Sequence, residues 1–272
     1  MSMLPAVLMA EPLPELPKFV RFKHFKANPG ELTRIEIQSH SGKGSLKVED
    51  HEGLHRGQMR VNWDQMIDRR EFVEEGVRKL NYRVLKDRVV TTVVLDGQEK
   101  TQEKESPLVG ETVEGMQDSL GQWKFFLDHL SGTEQAKMLE ELETYEARQW
   151  FVGGAMRVGD SWEFQPSFIR HMMERDLKGA AVEARMTLAA IEYLGKVPVA
   201  RLDFTILSKG ASAEADASAF FKGKVYVNLT NMLDYHTEMD GYLHSHVEHA
   251  GADTRLKIPL HFIVKQSIHP SR

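Results

Sequence analysis

The chain of 272 residues contains no cysteine. This absence excludes disulfide bonds, thiol nucleophiles, thiolate-ligated zinc sites and lipid anchors attached through a cysteine. No segment approaches the roughly 20 apolar residues that a membrane-spanning helix requires. A basic excess is also missing, because the net charge is -5 and the isoelectric point is near 6.2. Binding to nucleic acid needs a basic surface that displaces counterions from phosphates, so nucleic acid is not expected as a partner.

Recognisable catalytic signatures are missing too. No Gly-x-Ser-x-Gly sequence supplies the nucleophile turn of a typical serine hydrolase. The Gly42-Lys43 pair resembles part of a phosphate-binding loop, but that motif needs a glycine five residues earlier, where Ile37 stands. We interpret residues 42–45 as a turn, and we expect Asp234, Glu238 and Asp240 at solvated positions rather than as a catalytic carboxylate pair. The sequence therefore assigns no catalytic residue and no cofactor, and it predicts that the protein is not an enzyme.

The N-terminus is the part of the sequence that bears on location. Residues 3–10 form a short apolar run ending in Ala10, and a proline-rich stretch follows at 11–17. This order is typical of the end of a secretory signal peptide and the start of a mature chain, although the basic first part is missing. Two interpretations stay open: a truncated signal predicts a periplasmic or otherwise exported protein, and a loose tail leaves a cytoplasmic one. Residues 1–18 are assigned to this remnant or tail, and 19–272 to a single domain.

Alternation of apolar and polar residues predicts β-strands through most of the chain. The strand signals lie at 19–25, 32–37, 59–63, 80–85, 89–95, 182–188, 199–206, 224–229, 237–249 and 255–266. Asp96-Gly97 predicts a hairpin turn, because both residue types tolerate the left-handed backbone that such a turn requires. The polar segments 98–106 and 208–218 are predicted to be a linker and a loop. Short connections predict an antiparallel sheet, since parallel strands need crossovers of a dozen or more residues.

Two segments have helical character. Thr133 offers a hydroxyl N-cap for a helix over 133–149, and Pro166 stands in the first turn of a second predicted helix over 166–177. The apolar stripe of the first helix consists of Met138, Leu139, Leu142 and Tyr145. Because one face of a curved sheet must be covered, we expect this helix to fill the hollow of the sheet with Leu142 deeply buried.

The densest chemical feature is the sequence His244-Ser245-His246-Val247-Glu248. Alternate residues of a strand share a face, so His244, His246 and Glu248 are predicted to lie together. Two imidazoles and a carboxylate on one face are able to bind zinc or copper. The alternative is a solvated sheet face, and no metal ligand is assigned. A metal-binding or hydrolase function for this cluster requires acidic residues distant in sequence to converge on it.

Three segments in the same order resemble a family of exported bacterial proteins of unknown function. They are the strand at 107–113 with its Gly121 hairpin, the helix start at 133–135, and Val-Gly-Asp-Ser-Trp-Glu at 158–163. The resemblance extends from about residue 57 to 268 and is strongest between 107 and 163. It implies a fold similar to that of lipoprotein-carrier proteins, in which a curved antiparallel sheet wraps around helices, but it does not imply lipoprotein trafficking itself.

The sequence thus predicts an α+β fold with a large curved antiparallel β-sheet, an incomplete barrel, wrapping one or two α-helices. The function that fits this expectation is a non-enzymatic bacterial envelope protein holding an apolar ligand, a lipid or a lipoprotein segment, in the concave face. The alternative is a structural or interaction module without a ligand. No sequence pattern indicates an oligomeric state.

Overall fold

One antiparallel sheet dominates the protein. The computed structural model describes residues 13–23, 25, 28, 30–129, 132–146, 153–164, 181–211, 215–249 and 251–270. The strands are β1 (Glu31–Ser41), β2 (Gly44–Asp50), β3 (Gly53–Glu74), β4 (Val77–Leu95), β5 (Gln98–Glu105), β6 (Thr112–Gln117), β7 (Trp123–Phe126), β8 (Ser161–Glu163), β9 (Ala181–Leu194), β10 (Val197–Ala211), β11 (Ala215–Asn228), β12 (Asp234–His249) and β13 (Ala252–Pro270). The helix within the described residues is α1 (Thr133–Glu146).

The strands follow the order β7-β6-β4-β3-β1-β13-β12-β11-β10-β9-β8. Two further strands lie off this path: β2 pairs with β13 and β3, and β5 pairs with β4. Most neighbours on this path are also consecutive in the chain, whereas the β1–β13 pair joins the first strand of the chain to the last. The fold class expected from the sequence, a large curved antiparallel sheet with few helices, is confirmed.

The sheet has an inner face that carries the core and a more polar outer face, because successive residues of a strand point to opposite sides. On β12, Met239 and Leu243 point inward, whereas Asp240, His244 and His246 point outward.

The buried inner residues form two groups. The main cluster includes Met186, Leu188, Leu202, Phe204, Ile206, Phe221, Val225, Val227, Leu260 and Phe262. The helix-side cluster consists of Ile67, Leu80, Tyr82, Val84, Leu108, Val113, Trp123, Phe125 and Leu139.

The predicted turn at 42–45 is wrong. β1 and β2 both pair with β13 in one continuous direction, from Glu31 opposite Pro270 to Glu49 opposite Asp253, so the chain does not reverse between them. Three residues of the β1–β2 path, 42–44, face the two residues 258 and 259 of β13, which is the arrangement of a β-bulge. The bulge coincides with Pro259, which has no N–H to donate to the ladder.

Two glycines make room for aromatic rings on the inner face. A Cβ atom on Gly223 would lie 2.6 Å from the ring of Phe204, and a Cβ atom on Gly241 would lie 2.4 Å from the ring of Phe221. Both distances are shorter than van der Waals contact, so the aromatic rings rest directly on the backbone of the neighbouring strand. These positions therefore allow the inner surface to be packed by large side chains without pushing the strands apart.

The predicted helix is present, but it does not bury the residue that we expected. α1 packs beside β7 over the helix-side cluster, where Leu139 is buried at 8% exposure. Leu142 and Met138 are only partly buried and lie at the edge of this cluster. The expected deep burial of Leu142 is wrong because the helix lies across one end of the sheet rather than in the centre of its hollow.

Other sequence expectations differ from the structure at three segments. The polar segment predicted to be a linker forms β5, whose residues are all exposed and whose strand character rests on hydrogen bonding to β4. The predicted loop at 208–218 is mostly strand, since β10 continues to Ala211 and β11 begins at Ala215. Of the predicted strand at 19–25, the described residues 19–23 and 25 form one bridge, between Val20 and Met156. The predicted second helix at 166–177 lies outside the described residues.

Candidate functional site

Strand register aligns inner-face residues in rows that cross the sheet. The deep row consists of Trp63, Ser39, Phe262, Met239, Gly223 and Phe204. The rim row lies nearer the hairpin tips and consists of Gly57, Leu46, Leu256, Ser245 and Ala217. The outermost row consists of His55, Val48, Thr254, Val247 and Ala215. These three rows define the inner surface between the core and one open end of the sheet.

Burial falls steadily along this surface towards the tips. In the deep row, Phe204 and Phe262 are 4% and 5% exposed. In the rim row, Leu46 and Leu256 are partly buried, and in the outermost row Val247 reaches 36% exposure. The apolar character nevertheless continues, because Leu243 and Leu256 pack against the main cluster from this side. The inner face thus presents an apolar surface that is closed at depth and accessible at its rim.

Residues 20–22, which precede β1, cover another part of the main cluster. Val20 and Met156 exchange two backbone hydrogen bonds, each 2.8 Å long, and Val20 is 3% exposed. Phe22 packs on Trp162 with ring centroids 5.9 Å apart, and Phe164 meets Phe204 edge-on. These aromatic contacts bury apolar surface that the sheet alone leaves open. The sequence motif at 158–163 therefore has a packing role through Trp162.

A buried polar network lies on the inner face beneath α1, and sequence reasoning missed it. Arg69 of β3 donates to Glu146 at the end of α1, at 3.1 Å from Nε and 2.9 Å from one terminal nitrogen. The hydroxyl of Tyr82 also donates to Glu146, and Glu71 bridges Arg69 and Arg78. The side chains of Arg69 and Glu146 are 8% and 3% exposed. This network fastens the helix to β3 and β4 by paired charges.

The charge of Glu146 keeps Arg69 ionised in spite of its burial. Burial by itself lowers the pKa of Arg69, but the negative charge of Glu146 and its hydrogen bond oppose this effect, and the net direction is upward. The network carries two guanidinium groups and two carboxylates, so its formal charges cancel. Isolated charges would be strongly unfavourable at the depth of Arg69, Glu71 and Glu146, so each of these three depends on its partners.

A second group of charges stands at the open end, around His55 of the outermost row. The imidazole bonds to Asp96 of the β4–β5 turn through Nδ1 and lies 3.5 Å from Asp50 through Nε2. The hydrogen bond with Asp96 raises the pKa of His55, and the same bond lowers the pKa of Asp96. The turn itself adopts the left-handed backbone expected from its sequence, with φ of 48° at Asp96 and 82° at Gly97.

The predicted histidine cluster lies on the outer face, as the strand alternation required. The structure brings His246 and Glu248 together with Asp253 of β13 and Asp216 of β11. It does not bring His244 into the same group, because the His244 ring packs on Tyr242 with centroids 4.8 Å apart. The group faces away from the apolar inner surface and is separated from it by the sheet.

The acidic residues near this cluster do not form a carboxylate pair. Asp240 accepts a hydrogen bond from Nδ1 of His261 at 2.8 Å and is exposed, as is Glu238 on the same face. Asp234 begins β12 opposite Val227, at the other end of the strand. The expectation that Glu238 and Asp240 occupy solvated positions agrees with this geometry, whereas Asp234 is partly buried.

Comparisons with known proteins identify no family. No family model matches the chain, and no curated protein matches it. A solved structure described as "Lipid-protein interactions in lipovitellin" contains a chain that matches 90% of this one with a TM-score of 0.46 and 6% identity. The protein spans 26% of that chain's length. Among the described residues, no helix has the length and apolar character needed to cross a membrane.

Proposed function

We propose that the protein is a non-enzymatic, exported carrier that holds the acyl chain of a lipid, or a lipid-modified protein segment, against its inner face. The observation that carries the proposal is the continuous apolar surface from the buried deep row to the accessible rim. Single exposed apolar residues are ordinary, whereas a contiguous apolar surface that opens to solvent is typical of ligand or partner sites. The export of the protein rests on the N-terminal apolar run and on the family resemblance described above.

The chemistry of the inner surface favours an acyl chain over a polar ligand. Leu46 and Leu256 of the rim row and Leu243, one row deeper, supply aliphatic side chains from three neighbouring strands. Burial of apolar area contributes about 25 cal/mol per Å², or roughly 0.8 kcal/mol for each methylene group, so a chain of several methylenes gains substantial free energy here. The charged residues His55, Asp50 and Asp96 stand beyond the rim, where the polar end of an amphiphile would remain in water.

Native mass spectrometry of the purified full-length protein tests the proposal. We expect an adduct with the mass of a lipid that organic solvent removes and that reappears after incubation with phospholipid vesicles. Val247→Asp places a charge on the accessible end of the inner face and should reduce the adduct. Leu54→Asp is the matched control, because Leu54 is 50% exposed but points outward beside Glu49.

Two results would overturn the proposal. One is a protein that stays free of lipid before and after incubation with vesicles, which would favour a structural or interaction module without a ligand. The other is an equal loss of lipid in both variants, because binding would then not depend on the inner face. Circular dichroism of each variant verifies that the sheet is retained.

A further inference from the structure

A group of metal-ligating side chains converges on the outer face near the tips of β11, β12 and β13. We name Asp216, His246, Glu248 and Asp253 the His246 cluster. Register places Asp216 directly opposite His246, and Glu248 directly opposite Asp253. Since His246 and Glu248 stand two residues apart on one strand, all four side chains share the outer face. Three strands thus contribute to one site.

His246 is the centre of this cluster, because each of its ring nitrogens faces carboxylates. Nδ1 lies 3.0 Å from Asp216 Oδ2 and forms a hydrogen bond with it. Nε2 lies 3.2 Å from Asp253 Oδ1 and 3.5 Å from Glu248 Oε1. Nε2 is also shielded from solvent, and it has no hydrogen-bond partner among the described residues. The site therefore contains a shielded imidazole nitrogen within 3.5 Å of two carboxylates.

The hydrogen bond between His246 and Asp216 leaves Nε2 available as a metal ligand. A carboxylate accepts hydrogen bonds only, so the contact with Asp216 requires the proton of a neutral imidazole to be on Nδ1. Nε2 then presents a lone pair to the negatively charged oxygens of Glu248 and Asp253. A metal ion between these groups would bind the lone pair and one oxygen of each carboxylate.

We propose that the His246 cluster binds one Zn²⁺ ion through His246 Nε2 and one carboxylate oxygen each of Glu248 and Asp253. The candidate ligand atoms all lie within 4.8 Å of one another. A tetrahedral zinc ion with bonds of about 2.0–2.1 Å separates its ligand atoms by roughly 3.3 Å. The observed separations from Nε2, 3.2 and 3.5 Å, match this value. Asp216 supports the site from outside, because a carboxylate on Nδ1 fixes the ring orientation of a zinc-ligating histidine.

Neighbouring charges favour the ionised ligands. Arg255 donates to both oxygens of Asp253, at 3.2 Å to Oδ1 and 2.7 Å to Oδ2. These two bonds hold the carboxylate of Asp253 in a fixed orientation. A metal ion on Oδ1 leaves the shorter bond to Oδ2 in place. On β2, Glu49 stands opposite Asp253 and Lys47 stands opposite Arg255. The charged groups that flank the ligands are therefore two cations, Lys47 and Arg255, and one anion, Glu49.

A matched histidine on the same face supplies the control. His261 of β13 pairs with Asp240 of β12 through Nδ1 at 2.8 Å, as His246 pairs with Asp216. The side chains of His246 and His261 are similarly exposed, at 30% and 34%. The difference is that His261 has no second contact with a carboxylate among the described residues. Replacement of His261 therefore removes a histidine–aspartate pair without removing a metal site.

Isothermal titration of the full chain with Zn²⁺, after removal of metal with a chelator, tests the proposal. We expect one site in the wild type, loss of at least about 100-fold in affinity in His246→Ala, and little change in His261→Ala. Asp216→Asn should weaken binding by roughly 10–100-fold, the range for a residue that orients a ligand. Ca²⁺ should not replace Zn²⁺, since it takes six to eight oxygen ligands. The wild type should also gain thermal stability with Zn²⁺, and His246→Ala should not.

The proposal fails if the wild type binds no Zn²⁺, because the cluster would then be a network of ion pairs only. It also fails if His246→Ala and His261→Ala lose Zn²⁺ equally, since binding would then be spread over surface histidines. Circular dichroism and the melting temperature of the metal-free variants separate loss of the site from loss of the fold.

Discussion

The buried ion pair between Arg69 and Glu146 is the interaction whose removal should destabilise the fold most specifically. Removing one partner of a buried pair leaves an uncompensated charge and costs about 3–5 kcal/mol. We therefore expect Arg69→Met and Glu146→Leu each to lower the free energy of unfolding by about that amount. The double variant leaves no unpaired charge from this ion pair. Its loss of unfolding free energy should therefore be well below the sum of the losses of the two single variants.

An outer-face ion pair provides the reference for this prediction. Arg34 and Asp68 form two bonds of 2.7 and 2.9 Å, but their side chains are 30% and 15% exposed. Pairs in contact with solvent contribute at most about 1 kcal/mol, so Arg34→Met should be mild. The contrast between Arg69→Met and Arg34→Met isolates the effect of burial, because both guanidinium groups bind a carboxylate through two nitrogens.

Urea unfolding followed by circular dichroism measures all four variants and the wild type on one scale. The slope of the transition must stay constant for the free energies to be compared. The reasoning would be refuted if Arg69→Met were no more destabilising than Arg34→Met. It would also be refuted if the double variant lost the full sum of the single variants, since the two charges would then not depend on each other.

Two further predictions concern the helix and the open end. Leu139→Ala should lower the free energy of unfolding by about 2–5 kcal/mol, because it leaves a cavity in the helix-side cluster. Lys137→Ala, on the exposed side of the helix, should change it by no more than about 0.5 kcal/mol. Equal losses of the two variants in urea unfolding would contradict the packing of Leu139. The pKa of His55 is raised in the folded protein, so its pair with Asp96 contributes to the stability of the fold below the pKa of the unfolded state. This contribution is lost as pH rises through the pKa of the folded state. His55→Gln should therefore lower the melting temperature at pH 6 and have little effect at pH 9, and a pH-independent difference would contradict the pair with Asp96.

The strand architecture was predictable from sequence where one face of a strand is buried. Alternation at 199–206 and 255–266 marks inner-face residues directly, because each apolar position points to the core. β5 gave no such signal, since all of its residues are exposed and only its hydrogen bonds to β4 make it a strand. The signal that remained was the Asp96-Gly97 turn, which implies a second strand after β4.

The candidate sites were predictable only in part because their members are brought together by register. The common face of His246 and Glu248 follows from strand alternation, but the positions of Asp216 and Asp253 depend on how neighbouring strands align. The buried network offered a weaker signal. Arg69 and Glu71 are charged residues at inward positions of β3, and a buried charge requires a partner. That partner, Glu146, lies 77 residues from Arg69.

Fluorescence of Trp63 provides the most direct test of ligand binding on the inner face. Its indole lies in the deep row, is partly exposed and donates from Nε1 to Asp87 at 2.8 Å. A fatty acid with bromine atoms on its chain quenches tryptophan on contact, so bound chains should quench the wild type in a saturable manner. We predict that Trp63→Phe loses most of this quenching while still binding the unbrominated fatty acid. Equal quenching of the wild type and Trp63→Phe, or none in either, would contradict a ligand held against the inner face.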